Sequence, residues 1–189
     1  MQRGSHETEI KLAVPDVRTA RRLIRAAGFE IYKRRVFETN TIYDTPTDAV
    51  RRSSRLLRLR QAGGVVTLTY KGPPIVSRHK SREELELEIG DFRSMGAILE
   101  RLGYRAASRY EKYRTEYRQA KSRGIATIDE TPVGVFIELE GAPSWIDRTA
   151  RRLGFAEGDY LTVSYSRLYL DWCAANGIEP SEMVFAQTR

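Results

Sequence analysis

The fold is decided by residues 6–12, HETEIKL, in which charged and apolar side chains alternate with a period of two. Successive side chains of a β-strand point to opposite faces, so Glu7, Glu9 and Lys11 share one face. The remaining, more apolar side chains share the other face of the strand. The stretch therefore predicts a strand with one charged face.

Five later segments repeat this alternation, at 55–61, 65–71, 82–89, 107–118 and 135–140. The side chains grouped on their charged faces are Arg58 and Arg60; Lys71; Arg82, Glu84, Glu86 and Glu88; Lys112, Arg114, Glu116 and Arg118; and Glu138 and Glu140. With the extended stretches at 6–12, 31–44 and 124–129, these segments make about eight strands, which is enough to close a barrel.

Amphipathic segments at 16–27, 91–102, 143–153 and 164–175 predict helices. Packed outside a closed barrel, such helices cover its apolar face and leave the charged faces of the strands to meet in a lumen. These segments therefore predict an α+β fold, with enough strands to close a β-barrel and with helices packed outside. The alternative is a half-buried sheet whose charged face meets solvent.

A lumen lined with so many charges must stay wet, because buried charges need partners. Clustered carboxylates repel one another unless a cation lies between them, and an all-oxygen donor set suits Mg²⁺ or Mn²⁺. Clustered Arg and Lys side chains likewise require a polyanion, and the guanidinium group matches phosphate oxygens. A metal–polyphosphate complex satisfies both sets at once.

Composition places the chain among globular proteins. It has 189 residues, a formal net charge of +7 and one cysteine, Cys173. Such a length suits one domain, 1–189, and we expect no membrane span. The absence of a secretory pattern and of a possible internal disulfide favours a cytoplasmic location. The positive charge alone does not choose between nucleic acid, an anionic membrane surface and a small polyanion as partner.

Short motifs along the chain resemble those of the CYTH, or triphosphate tunnel metalloenzyme, superfamily. That superfamily includes class IV adenylyl cyclases, thiamine triphosphatases and tripolyphosphatases. The matching motifs are ETEIK (7–11), IYDTP (42–46), LRLR (57–60), LTYKGP (68–73), REE (82–84), EKYR (111–114), ID (128–129) and ELE (138–140). ETEIK alone is weakly specific, but the whole ordered set is strong.

The resemblance implies a closed eight-stranded antiparallel β-barrel that forms a tunnel. It also implies that this tunnel binds metal on its acidic residues and triphosphate on its basic ones. The implied metal ligands are Glu7, Glu9, Glu138 and Glu140, with support from Asp129. The implied triphosphate-binding residues are Lys11, Arg58, Arg60, Lys71, Lys112 and Arg114. Lys11, if its pKa is lowered, would also orient or deprotonate the nucleophile. The resemblance does not assign individual roles to Glu84 and Glu86.

Hydrolysis of ATP, thiamine triphosphate or tripolyphosphate is the function we expect from these residues. The alternative is cyclisation of ATP to cyclic AMP, which uses the same metal and cations. A non-catalytic polyphosphate- or RNA-binding module is a third hypothesis. Against nucleic acid, Tyr113 and Tyr117 fall on the strand face opposite the cations and should pack under helices. The oligomeric state stays open.

Three features are interpreted as structural. His6 and His79 have no metal-ligand spacing and should lie at the surface or at strand edges. The polar, basic residues 76–81 are interpreted as an exposed mobile loop. In the last helix, a stripe of apolar and aromatic residues should pack on the barrel. The stripe consists of Tyr165, Leu168, Tyr169 and Trp172.

Overall fold

A single antiparallel sheet curls into a barrel in the computed structural model, which describes residues 5–186. The strands are β1 (Ser5–Val14), β2 (Glu30–Asp44), β3 (Leu56–Ala62), β4 (Val65–Lys71), β5 (Ile75–Val76), β6 (Lys80–Ile89), β7 (Arg105–Arg118), β8 (Ile125–Thr131) and β9 (Gly134–Glu140). Their order is β1-β9-β8-β7-β2-β3-β4-β6-β5, and β6 also pairs with β1. Apart from the two-residue β5, eight strands thus close the barrel, as predicted.

Helices lie outside the barrel and begin at the residues that the sequence indicates. They are α1 (Val17–Ala26), α2 (Ala49–Arg52), α3 (Phe92–Arg101), α4 (Pro143–Arg152) and α5 (Tyr165–Asn176). The side chains of Asp16, Asp91 and Ser164 accept hydrogen bonds from the first turns of α1, α3 and α5. Among residues 5–186, no helix is long and apolar enough to cross a membrane.

The short helix α2 was not predicted, and Asp44 explains it. One carboxylate oxygen of Asp44 accepts hydrogen bonds from the backbone N–H groups of Thr45 and Val50, and the other accepts one from Arg51. This side chain therefore satisfies donors that would otherwise be left without partners at the start of the helix. The IYDTP motif thus has a structural role after β2.

The main hydrophobic core lies between the outer barrel face and helices α1 and α4. Ile10, Ile137 and Leu139 from the strands are fully buried, as are Ile24 of α1 and Ile146 of α4. Because neighbouring strand residues point to opposite faces, burying these side chains outside the barrel turns the charged residues inward. The alternative of a sheet with a solvent-facing charged side is therefore wrong.

The chain after α4 completes one end of the barrel. The backbone of Leu161 pairs with that of Lys11 through two hydrogen bonds of 2.9 Å. Farther along, Met183 pairs with the backbone of β7 at Arg109 and Glu111. This segment therefore extends the pairing of β1 and β7 beyond their neighbouring strands, and it carries α5 across the end of the lumen.

Two predictions for aromatic side chains need correction. Tyr117 is buried in the core, as expected, but Tyr113 packs against Phe37 and Phe185 instead of lying under a helix. Trp172 of α5 is 38% exposed and so is not packed on the barrel like the rest of its stripe. The contact of Tyr113 with Phe185 depends on the path of the last residues, which local periodicity does not indicate.

The interpretation of residues 76–81 as an exposed mobile loop is wrong in its second half. Ser77 and Arg78 are exposed, but His79 and Lys80 are buried, and β6 already begins at Lys80. His79 is consequently no surface residue. Residues 1–4 and 187–189 lie outside the described residues, so a single domain over 1–189 stays a prediction.

Candidate active site

The lumen of the barrel holds a cavity of about 870 Å³ whose walls are mostly charged. Ten of the predicted site residues line it: Glu7, Glu9, Lys11, Arg58, Arg60, Lys71, Lys112, Arg114, Glu138 and Glu140. The period-two pattern explains this result, since each residue lies on the inward face of its strand. The structure thus brings predicted residues from five strands into one chamber.

Five acidic residues of the cavity lie on three neighbouring strands, β6, β1 and β9. Glu7 and Glu9 come from β1, Glu138 and Glu140 from β9, and Glu84 from β6. Glu9 lies opposite Glu140 in the strand register. We call these five residues the carboxylate wall. Glu84 therefore belongs with the predicted metal ligands, a placement that the sequence left open.

Two members of the carboxylate wall carry pKa values far above the ordinary range of a glutamate. Burial raises the pKa of Glu7, and the charges of Glu9 and Glu84 raise it further, to about 8, although the charge of Lys71 lowers it. Burial and the charge of Glu138 raise the pKa of Glu140 to about 7. Ionisation of Glu7 and Glu140 is therefore unfavourable, mainly because both are buried, and a divalent cation beside them would favour their charged forms.

The donor chemistry of the carboxylate wall fits a divalent cation such as Mg²⁺ or Mn²⁺, which prefers oxygen ligands. Within the described range 5–186, no three His, Cys, Asp or Glu side chains converge as a ready ligand group. Lysines are drawn to the carboxylates instead: Lys11 and Lys80 each donate to Glu9 Oε1 at 3.0 Å. A cation at this wall must therefore compete with lysine ammonium groups.

These pKa shifts predict how stability depends on pH. Between the ordinary value of 4.5 and the raised values of Glu7 and Glu140, the folded state binds more protons than the unfolded state. Stability without divalent cations should therefore fall by several degrees of Tm from about pH 5.5 to about pH 8.5. Mg²⁺ binds the deprotonated carboxylates, so its stabilising effect should grow over the same window.

Thermal unfolding in EDTA and in Mg²⁺ at the two pH values measures both effects. The control is the double variant Glu7→Gln/Glu140→Gln, which cannot ionise at these positions and should show a flatter pH profile. The carboxylates with lowered pKa values, such as Asp129, are already ionised throughout this window. An equal pH slope in the variant and the wild type would contradict the assignment.

Opposite the carboxylate wall, β7 presents a cationic pair that is held by Asp129. This carboxylate is fully buried and accepts hydrogen bonds from Lys112 Nζ at 2.9 Å and from Arg114 at 2.6 and 2.7 Å. Burial opposes ionisation, but Arg114 and Lys112 hold the pKa of Asp129 well below its usual range. Asp129 therefore serves as their counter-ion behind the cavity wall, in place of the metal support expected for it.

Strand β3 supplies two guanidinium groups to the same chamber. Arg58 donates to the Tyr110 hydroxyl at 3.3 Å and to Thr69 at 3.2 Å, whereas Arg60 contacts Glu86 at 3.3 Å. The buried Nε of Arg58 has no hydrogen-bond partner among the groups that the structure describes. The hydrogen bonds of Arg58 and Arg60 to protein groups are long, so both guanidinium groups can exchange these partners for phosphate oxygens. Glu86 thereby has a place as the partner of Arg60.

The direction of the pKa shift expected for Lys11 needs correction. Burial would lower its pKa, but the charges of Glu9 and Glu138, 3.0 and 3.3 Å from Nζ, raise the pKa above its usual range. Lys11 is therefore a firmly charged ammonium group in this structure. The lowered pKa that a general base requires is not seen at Lys11, and its part in deprotonating the nucleophile stays a prediction.

Three further residues reach the site without having been predicted. Glu38 of β2 lies 3.6 Å from Lys112 Nζ, and Lys80 of β6 contacts Glu9. The hydroxyl of Tyr165 donates to Asp129 at 2.6 Å, so this residue of the α5 stripe also contributes to the lumen. Extending the period-two pattern would have found Glu38 along β2 and Lys80 two residues before Arg82, but nothing local indicates Tyr165.

Comparison with known proteins supports one family. The CYTH domain model matches residues 5–165. A Methanocaldococcus jannaschii protein named "Putative adenylate cyclase MJ0240" is 31% identical over 142 residues, which are 75% of this chain and 79% of that protein.

Solved structures share the fold. The X-ray structure of a "putative adenylate cyclase" from Vibrio parahaemolyticus has a TM-score of 0.76 at 20% identity, covering 88% of this chain and 98% of that one. HpAC1 from Hippeastrum, described as a "putative adenylyl cyclase" with a dominant triphosphatase activity, has a TM-score of 0.63 at 19% identity, covering 92% and 97%. With the family model matching most of its length, the chain belongs to the CYTH domain family.

Proposed function

We propose that the protein hydrolyses an inorganic or organic triphosphate with the help of Mg²⁺ or Mn²⁺. The observation that carries this proposal is the arrangement of the lumen: the carboxylate wall faces the cations of β3 and β7 inside one closed barrel. A triphosphate–metal complex has the complementary charges, with anionic oxygens for one wall and a divalent cation for the other.

The chain's own residues have distinct tasks in this reaction. Glu7, Glu9, Glu138 and Glu140 would hold the cation, which neutralises charge on the phosphate oxygens. Six basic side chains would donate hydrogen bonds to the triphosphate: Lys11, Arg58, Arg60, Lys71, Lys112 and Arg114. Because the chemistry of phosphoryl transfer requires mostly positioning and charge stabilisation, these donors would carry much of the rate enhancement.

The aromatic side chains of the cavity favour hydrolysis over cyclisation. A cyclase must also hold an adenine base, for which a stacking aromatic ring is a common device. The rings that line the cavity belong to Tyr110 and Tyr165. Both are tied into the ionic network, Tyr110 through Arg58 and Tyr165 through Asp129. Lys11 and Lys112 each have Nζ 5.1 Å from the centroid of the Tyr165 ring, so a base that stacked on this ring would compete with two cations.

Cyclisation of ATP to cyclic AMP and pyrophosphate stays the second candidate. The Methanocaldococcus protein at 31% identity is named as a cyclase, and a cavity of about 870 Å³ is large enough for a nucleotide. Nucleic acid is a less suitable partner, because the basic residues of the site face the barrel interior. A reducing cytoplasm, in which buried Cys173 stays a thiol, is the compartment we propose.

Product analysis separates the two candidates. The protein would be incubated with tripolyphosphate, thiamine triphosphate and ATP in Mg²⁺ or Mn²⁺, and orthophosphate, pyrophosphate and cyclic AMP would be quantified. We expect orthophosphate from at least one substrate and no cyclic AMP from ATP. Cyclic AMP formed with equimolar pyrophosphate would instead make the protein a cyclase.

A further inference from the structure

A buried histidine on the outside of the barrel joins the chain before β6 to helix α4. His79 Nε2 lies 2.7 Å from Asp147 Oδ1, and both residues are less than 10% exposed. Tyr160 donates its hydroxyl to the same oxygen at 3.3 Å, and Arg78 lies 3.3 Å from Oδ2. The carboxylate of Asp147 thus holds residues from two other segments, and we call this contact the His79–Asp147 clasp.

The residue after His79 lies inside the barrel. Lys80 is 5% exposed, lines the cavity and donates from Nζ to Glu9 Oε1 at 3.0 Å. Within residues 5–186, this ammonium group donates to Glu9, and it has three N–H donors in all. Lys80 can therefore offer further hydrogen bonds to a ligand in the cavity.

Glu9 already has a second lysine on the same oxygen. Lys11 Nζ also lies 3.0 Å from Glu9 Oε1, so two ammonium groups share a single carboxylate oxygen. Arg82, two residues along β6, lines the same cavity. Lys11 has a second carboxylate partner, Glu138, 3.3 Å from its Nζ, whereas Lys80 shares Glu9 with Lys11. A phosphate oxygen would supply a further anionic partner for Lys80.

Strand geometry couples the clasp to this lysine. Neighbouring residues of a strand point to opposite faces, so fixing the ring of His79 outside the barrel fixes the direction of Lys80 inside it. Lys80 is the first residue of β6, where a strand end would otherwise fray. A lysine side chain has high rotamer entropy, and a fixed backbone lowers the entropy lost when it binds a ligand.

We propose that Lys80 is a further phosphate-binding residue of the tunnel and that the His79–Asp147 clasp positions it, an inference that rests on the triphosphate function proposed above. Lys80 binds phosphate oxygens directly, whereas His79 acts through Lys80 from outside the cavity. Neither residue belongs to the set implied by the sequence motifs.

Calorimetric binding of tripolyphosphate, with and without Mg²⁺, tests the proposal. Lys80→Met should weaken binding about ten- to one-hundredfold, as expected for one charge-assisted hydrogen bond to phosphate. His79→Ala should weaken it less, by about three- to tenfold, since the lysine is retained but less well placed. In the Lys80→Met background, His79→Ala should change the Kd by less than about twofold, because both act through one group.

Matched controls separate positioning from folding. His6→Ala removes the other, exposed histidine and should leave binding unchanged. Asp147→Asn keeps the size of the side chain and should weaken binding as His79→Ala does, which covers the case in which the histidine variant folds poorly. Circular dichroism and Tm would establish that each variant is folded.

The outcomes distinguish this inference from the proposed function. Wild-type protein that binds and hydrolyses tripolyphosphate, with Lys80→Met binding equally tightly, would overturn the role of Lys80 alone. Equal effects of His79→Ala in the wild-type and Lys80→Met backgrounds would overturn the positioning role. Wild-type protein that neither binds nor hydrolyses tripolyphosphate would overturn the triphosphate function and this inference with it.

Discussion

Asp129→Ala is expected to lower the free energy of unfolding by about 3–5 kcal/mol, the usual cost of removing one partner from a buried charge network. Asp129 is fully buried and holds Lys112, Arg114 and the hydroxyl of Tyr165 with its two oxygens. Without it, two buried cations keep only their contacts to other glutamates. The loss should therefore be far larger than that of an average surface substitution.

Urea denaturation of folded variants measures this effect. Asp171→Ala is the matched control, because Asp171 is exposed and pairs with Arg167 at the surface of α5, where an ion pair contributes less than about 1 kcal/mol. Asp129→Asn should fall between the two, since the amide oxygen can still accept a hydrogen bond. If Asp129→Ala costs no more than Asp171→Ala, the lumen is not the charge network described above.

Glu138→Gln is expected to lower kcat for triphosphate hydrolysis by about a hundredfold or more, the scale on which a directly acting electrostatic group contributes. Glu138 lies in the carboxylate wall, 2.8 Å from Arg114 and 3.3 Å from Lys11 Nζ. It thereby joins the proposed metal ligands to the proposed phosphate ligands. Glutamine keeps the shape but lacks the charge that both partners and a divalent cation require.

Glu130→Gln provides the matched control for this activity measurement. Glu130 lies on β8, one residue after Asp129, and pairs with Arg35 outside the lumen at 2.8 Å. The same change of charge there should alter kcat by less than about twofold, as is usual for a surface ion pair. Equal activity of Glu138→Gln and wild type, with both folded, would remove Glu138 from the site.

Much of the barrel could be predicted because one local rule governs it. Period-two alternation in residues such as Glu7, Glu9 and Lys11 specifies both a strand and the face that lies inward. Caps such as Asp16 and Asp91 indicate where the helices begin. Ten site residues could therefore be placed in one lumen from the sequence alone, and the family motifs indicated their expected roles.

The remaining features depend on contacts between distant segments. His79 follows a polar, basic run that is typical of exposed loops, and its partner Asp147 lies 68 residues away on α4. Tyr165 belongs to an apolar stripe, but its hydroxyl reaches Asp129 only because α5 crosses the end of the barrel. The pKa of Lys11 likewise depends on how closely Glu9 and Glu138 approach it. The spacing of residues along the sequence does not indicate these distances between atoms.

The network of the lumen also explains how a chamber of charges can exist in the folded protein. Each predicted phosphate ligand has an acidic partner, as in Lys71 with Glu84 at 3.2 Å and Arg60 with Glu86 at 3.3 Å. A metal–triphosphate complex would replace these contacts with contacts of its own, so binding exchanges partners instead of exposing bare charges. Such preorganisation of charge is what electrostatic catalysis requires.

Orthophosphate release from tripolyphosphate, measured with Mg²⁺ or Mn²⁺ and again in excess EDTA, tests the central claim most directly. We expect turnover with a divalent cation, none in EDTA, and recovery when the cation is restored. Turnover that persists unchanged in EDTA would contradict a metal site on the carboxylate wall. Failure to turn over tripolyphosphate, thiamine triphosphate and ATP with either cation would contradict the proposal that the tunnel is a triphosphatase site.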